Sequence, residues 1–329
     1  MKQCWNVREN KEWMDLVLPG VSFEVLWGIT LLAICVLLTL WLAMGSASSP
    51  PKQPVLMFGA ALLHPRHISL GVNEEGIEEF TLHSALHASA APVLPPKRDL
   101  WQDAVVRKVP VLNQGQWGSC VGHAVSYAWQ NAVLRSPNSN AASMWFLPSR
   151  CFLYAESRLI LGDTDLAGDD GSTMHAGAAA LSQRGVLPES QYPYSWTNIS
   201  RAPPSSVRAA AASRRRATRK VRFTLSTSTN VTNFKAELAA GRLVMIGILV
   251  FASWMESSAA MSSGRIPFPR VQDQCVGGHA IALSGWDDAS RVFTFRNSWG
   301  NRVGKSGAFS IPYDYVCNPN FAGDAWVVS

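Results

Sequence analysis

Three textures of apolar and polar positions follow one another along the chain. Residues 25–44 form an unbroken apolar run without charge, interrupted only by Gly28, Thr30 and Thr39. At about 1.5 Å per residue a helix of that length spans roughly 30 Å, the hydrocarbon thickness of a bilayer. Trp27 and Trp41 stand near its ends, where indole rings favour the membrane interface. The pattern therefore predicts a transmembrane helix at 25–44 behind an N-terminal tail at 1–24. Residues 45–96 show no sustained period and close on Pro95-Pro96, the texture of a linker or short pro-region. From 97 to 329 the chain reads as a packed domain. Within 119–134 the apolar positions Val121, Ala124, Val125, Ala128 and Ala132 repeat at i, i+3, i+4, predicting a helix buried on one face. Ser119 is placed to cap its start, and Ser136-Pro137-Asn138 to end it. Further on, Gly277-Gly278-His279-Ala280 opens an apolar run to Trp286. Asp287-Asp288 then turns the chain into Val292-Phe293-Thr294-Phe295, which predicts two adjacent antiparallel strands.

Composition narrows the class. With 329 residues, 47% hydrophobic and 16% charged, the chain is neither disordered nor collagenous. No pair of its six cysteines has C-x-x-C spacing, which argues against structural zinc. The net charge of +6 is local: eight Lys/Arg and no acid lie between Arg201 and Arg222. Such a patch can meet nucleic acid or anionic lipid, but no aromatic residue interleaves with the arginines, so it reads as a solvated helix face. Lys2, Arg8 and Lys11 precede the apolar run and only Lys52 closely follows it. The positive-inside bias thus makes the chain a single-pass type II protein with its bulk on the lumenal or extracellular side. The glycosylation triplets at Asn198 and Asn230 fit that side. A cleaved signal peptide is the alternative, although its apolar region usually runs only about 7–15 residues.

Chemistry enters with Cys120, predicted in the first turn of a buried helix, where unpaired N–H groups and the positive dipole end favour a thiolate. A lone cysteine there is usually structural. His279 and Asn297, carried on neighbouring strands, supply what a nucleophile needs: an imidazole to move the proton and a carboxamide to orient it. Trp299 is placed to shield that hydrogen bond from water. His123, one helical turn after Cys120, competes as the base or is a packed neutral imidazole. His83 and His87 lack the following Glu of a metalloprotease helix. Cys151 reads as a buried thiol, and Cys275 and Cys317 as a pair that could be bridged in an oxidising compartment.

Taken in order, Gln114-Gly115-Gln116-Trp117-Gly118-Ser119-Cys120, Gly278-His279-Ala280 and Asn297-Ser298-Trp299-Gly300 resemble the papain-like (C1) cysteine peptidases, in their cysteine-poor bacterial and viral branch. Asp170-Gly171 and Tyr192-Pro193-Tyr194 support the match. The resemblance implies an α+β, two-lobed fold: a helical lobe with Cys120, and a twisted antiparallel sheet barrel with His279 and Asn297. It implies a Cys120/His279 pair acting on peptide bonds through an acyl-enzyme, with Asn297 orienting the imidazole and Gln114 in the oxyanion hole. Gly118, Asp170, Gly171, Gly278 and Trp299 would line the substrate site. Trp117 and Val121 stand where papain has a cysteine and a tryptophan, so one family disulfide has no counterpart, and no helical inhibitory pro-region is recognisable upstream. The expectation is an endopeptidase with a polypeptide substrate, no cofactor and no metal, tethered to a lipid bilayer through 25–44. Its oligomeric state is left open, and nucleic-acid binding rests on the basic patch alone. The rival reading is a catalytically silent papain-like scaffold serving as a tethered interaction module.

Overall fold

Residues 94–137 and 144–329 are described by a computed structural model. The expected tail, the membrane helix at 25–44 and nearly all of the linker lie outside them. Among the described residues no helix is long and apolar enough to cross a membrane.

Strand β1 (Lys97–Asp99) is followed by the central helix α1 (Cys120–Leu134), then α2 (Arg150–Ile160), α3 (Met174–Ala179) and α4 (Ser205–Ala212). Beyond β2 (Thr218–Lys220), helix α5 (Thr227–Ala239) leads into β3 (Val244–Phe251), β4 (Cys275–Asp287), β5 (Val292–Arg296), β6 (Ala308–Pro312) and β7 (Ala322–Val328). Helix α1 begins and ends where the periodicity places it. It is not buried on one face only, however: Ser126, Gln130 and Asn131 are buried along with Val121 and Val125. The helix is central because α2 and α3 cover the side away from the sheet, and both approaches depend on glycine. A Cβ at Gly122 would lie 2.5 Å from the Arg150 carbonyl, and one at Gly177 2.4 Å from Val121 Cγ1. Ser119 holds the N-cap position without capping, because its hydroxyl pairs with that of Tyr194 at 2.5 Å.

The sheet is wholly antiparallel, in the order β2-β7-β3-β4-β5-β6, with β1 also paired to β4. The expected barrel is thus an open sheet among the described residues: its end strands β2 and β6 do not pair with each other. The lobes also interleave, since β1 comes from the N-terminal half. Strand β4 is buried at nearly every position, packed between α1 and α5, which is why it reads as a continuous apolar run rather than an alternation. Each large apolar side chain enclosed in this core contributes about 1.5–3 kcal/mol.

Candidate active site

The first turn of α1 abuts β4. The Cys120 sulfur faces the backbone of Ala280, the residue after His279, and lies 4.0 Å from the Gly118 carbonyl. On the other side of β4, β5 delivers Asn297 just beyond its end. There Asn297 Oδ1 accepts from His279 Nε2 at 2.8 Å and from the Ser298 backbone N–H at 2.8 Å. This sets the tautomer: Nε2 carries the proton and Nδ1 is the basic nitrogen. Nδ1 is buried and has no hydrogen-bond partner among the described residues. The Trp299 indole covers the imidazole at 4.9 Å between ring centres, with Trp254 behind it at 5.2 Å. Burial of a ring nitrogen this basic, without a partner, is costly unless something uses it.

Cys120, His279 and Gln114 are fully enclosed and Asn297 is 1% exposed. That enclosure sets the resting charges. Burial pushes the thiol up to about 12, against backbone groups of Ala280 and Val121 that favour the thiolate. It pulls the imidazole down to about 4, opposed by the Asn297 hydrogen bond. Raising the thiol from 9.0 to about 12 corresponds to about 4 kcal/mol, whereas a helix N-terminus offers at most about 2 kcal/mol. Burial therefore disfavours both the thiolate and the imidazolium in this closed arrangement, against the pull of the helix start.

Gln114 is held at both ends of its amide. Its Oε1 accepts from Ser298 Oγ at 2.5 Å and its Nε2 donates to the Trp117 carbonyl at 2.8 Å. Backbone bonds from Gln114 N–H to the Ser298 carbonyl (2.8 Å) and from Gly300 N–H to the Leu112 carbonyl (2.9 Å) stitch the segment before Cys120 to the segment after Asn297. Beside this seam lies a cavity of about 380 Å³ lined by Asn113, Trp299, Gly300, Asn301 and Arg302.

The expected substrate-lining residues are mostly committed inside the protein. Gly118 N–H donates to Asp169 Oδ2 at 2.7 Å and Gly171 N–H to the Tyr154 hydroxyl at 3.0 Å. Asp170 sits 3.4 Å from Arg158, and Gly278 is buried in β4 opposite Leu249. Asp169, which also accepts from Tyr154 at 2.6 Å, and Trp254 were not singled out by sequence reasoning. Neither carries a motif, and only the fold brings them here.

The competing histidine is settled by its contacts. His123 Nδ1 faces the Ser119 carbonyl at 2.9 Å, and Arg150 Nη1 donates to Nε2 at 3.2 Å. Both nitrogens are used, and burial with the Arg150 cation pulls the group down to about 3. His175, by contrast, is exposed. Cys151 is a buried thiol held against the Ser195 backbone, and Cys275 and Cys317 form no disulfide in this structure, the Cys275 sulfur lying 3.7 Å from the Gly277 carbonyl. Asn230 departs from the glycosylation reading: it is enclosed, and its Nδ2 donates to the Thr224 and Cys317 carbonyls at 2.8 and 2.9 Å. No group of three or more metal-ligating side chains converges among the described residues.

The family model of the papain family cysteine protease matches residues 94–322. The chain belongs to the papain family of cysteine proteases. An uncharacterized peptidase C1-like protein of Acanthamoeba polyphaga mimivirus is 30% identical over 220 residues, covering 66% of this chain and 68% of that protein. Xylellain, a cysteine protease from Xylella fastidiosa, is 33% identical with a TM-score of 0.61, over 72% of this chain and 86% of that one. The proform of the ragweed cysteine protease Amb a 11, at 19% identity and a TM-score of 0.53 over 73% of this chain and 67% of that one, shares the fold. This peptidase therefore acts on polypeptide substrates.

Proposed function

We propose that the peptidase cleaves within polypeptides through an acyl-enzyme, with Cys120 as nucleophile and His279 as its proton partner. The observation that carries this is the unpartnered Nδ1 of His279, buried beside the strand residue that faces the Cys120 sulfur. In this reading Nδ1 takes the thiol proton as sulfur attacks the scissile carbonyl, then returns it to the leaving amine. Each charge alone is expensive in the enclosed site. Formed together by one proton transfer they offset each other, and Asn297 steadies the imidazolium from the far side. Gln114 supports the oxyanion that develops. The closed sulfur requires the site to open before substrate enters.

The test is labelling by an epoxide-type thiol inhibitor. Modification at Cys120 that is lost in His279→Ala supports the enzyme; folded protein that stays unlabelled supports the silent scaffold. We also infer that residues 25–44 anchor the chain as a type II membrane protein, on the strength of their apolar length, their terminal tryptophans and the preceding cations. Retention of the full chain in membranes through alkaline carbonate washing tests this, and release into the supernatant sinks it. Protease protection of the peptidase domain in sealed vesicles tests its orientation.

A further inference from the structure

Away from the candidate active site, a second cavity of about 510 Å³ is lined by Trp129, Val133, Met144, Trp145, Phe146 and the run from Ser213 to Arg216. Trp129 lies nine residues after Cys120 on α1, about 14 Å along the helix axis. The basic run contains no aromatic residue of its own, but folding supplies three from distant segments. Trp129 and Phe146 pack at 4.5 Å between ring centres, and the Arg214 guanidinium lies 5.6 Å from the Phe146 ring.

The charges here differ from those on either side. Arg184 and Arg208 pair with the buried Glu156, and Arg219 with Glu237. Arg214, Arg215 and Arg216 form no ion pair with a carboxylate among the described residues. Backbone carbonyls hold two of them in place instead, Arg214 on Ala210 at 3.0 Å and Arg215 on Gln183 at 2.6 Å. The indole N–H groups of Trp129 and Trp145 are also buried without a partner among the described residues. Three adjacent guanidiniums without a counterion create a positive potential and present forked donors suited to phosphate oxygens. The aromatic wall, with Trp129 packed on Phe146 and the Lys108 ammonium 4.6 Å over the Trp145 ring, adds a further cation beside apolar surface against which a flat ring can pack. The volume suits one small molecule rather than a polymer track.

We propose that this cavity binds a phosphate-bearing ligand with a flat ring, the chemistry of a mononucleotide. The full chain is titrated with ADP, with pyrophosphate and with adenosine, followed by calorimetry and by tryptophan fluorescence. ADP is expected to bind at least tenfold more tightly than either fragment and to quench fluorescence. Each of Arg214→Gln, Arg215→Gln and Arg216→Gln should weaken ADP about tenfold, and Trp145→Leu should remove the advantage of ADP over pyrophosphate. Circular dichroism confirms that each variant is folded. Equal binding of pyrophosphate and ADP, ADP binding unchanged in the triple arginine variant, or no binding at all would each overturn the proposal, as would a single-stranded polynucleotide that binds more tightly than ADP through the same residues.

Discussion

Two enclosed imidazoles, one on the central helix and one on the sheet, differ in how their ring nitrogens are used. His123, in the helical part, and His279, on the sheet, are both fully buried and both drawn far below the ordinary histidine range by loss of water. At His123 a carbonyl and a guanidinium occupy both ring nitrogens. At His279 only one nitrogen is committed, and the other has no hydrogen-bond partner among the described residues. Burial and a displaced titration therefore do not distinguish a chemical group from a structural one. On the proposed mechanism, what separates them is a bare nitrogen on the residue next to the one that faces the Cys120 sulfur.

The sharpest way to break this comparison is substitution at the two rings. His279→Ala should lower kcat/KM on a peptide substrate by about 10⁴ or more, while His123→Leu leaves kcat within a few-fold. The reverse outcome would reassign the base. Gln114→Ala comes next, with a loss of about 10²–10³ in kcat if its amide supports the oxyanion; an unchanged kcat would confine Gln114 to the seam with Ser298.

Acid stability follows. Above pH 6.5 both rings are neutral whether the chain is folded or not. As pH falls, the unfolded chain takes up protons at both, whereas the folded chain resists until about 4 at His279 and about 3 at His123. Stability present at neutral pH is therefore lost progressively through that window, by about 2 kcal/mol per ring at pH 5. Urea denaturation across pH 7 to 5 should show this slope, roughly halved in His123→Leu; a flat profile would contradict neutral burial. A final effect of similar size is the static cost of His123→Leu at pH 7. It removes two hydrogen bonds but keeps the Arg150 ion pair with Glu189, for about 1–3 kcal/mol by the same denaturation.

Much of this arrangement was legible before the fold. The i, i+3, i+4 spacing placed α1 because its apolar residues form a continuous buried stripe, part of which, Val121 and Val125, packs against Gly177 of α3. The two runs around Asp287-Asp288 gave β4 and β5 because each is dominated by apolar and aromatic residues joined by a short turn. Cys120, His279 and Asn297 stood out through their flanking glycines and tryptophan. The all-round burial of α1 was hidden, since Ser126, Gln130 and Asn131 look like a solvated face until the fold encloses them, Asn131 against the Gly241 carbonyl before β3 at 2.8 Å. The burial that opposes a thiolate at Cys120 was hidden, because a helix start is visible in sequence and enclosure is not. Asp169 and Trp254 were missed for a related reason: their contacts join segments far apart in the chain. The Asn230 triplet matched its pattern, yet its amide is spent holding Cys317.

The seam between Gln114 and Ser298 has a consequence for how the protein is made. These residues are 184 positions apart, an interval that a ribosome covers in roughly 10–40 s at about 5–20 residues per second. For most of that time the helix bearing Cys120 has been synthesised while His279, its proton partner in the proposed mechanism, has not, and Ser298 follows later still. If the proposed pair does the chemistry, a nascent chain stalled before His279 holds its thiol without being able to cut itself or its neighbours, so vectorial synthesis delays the onset of proteolysis until the last strands arrive.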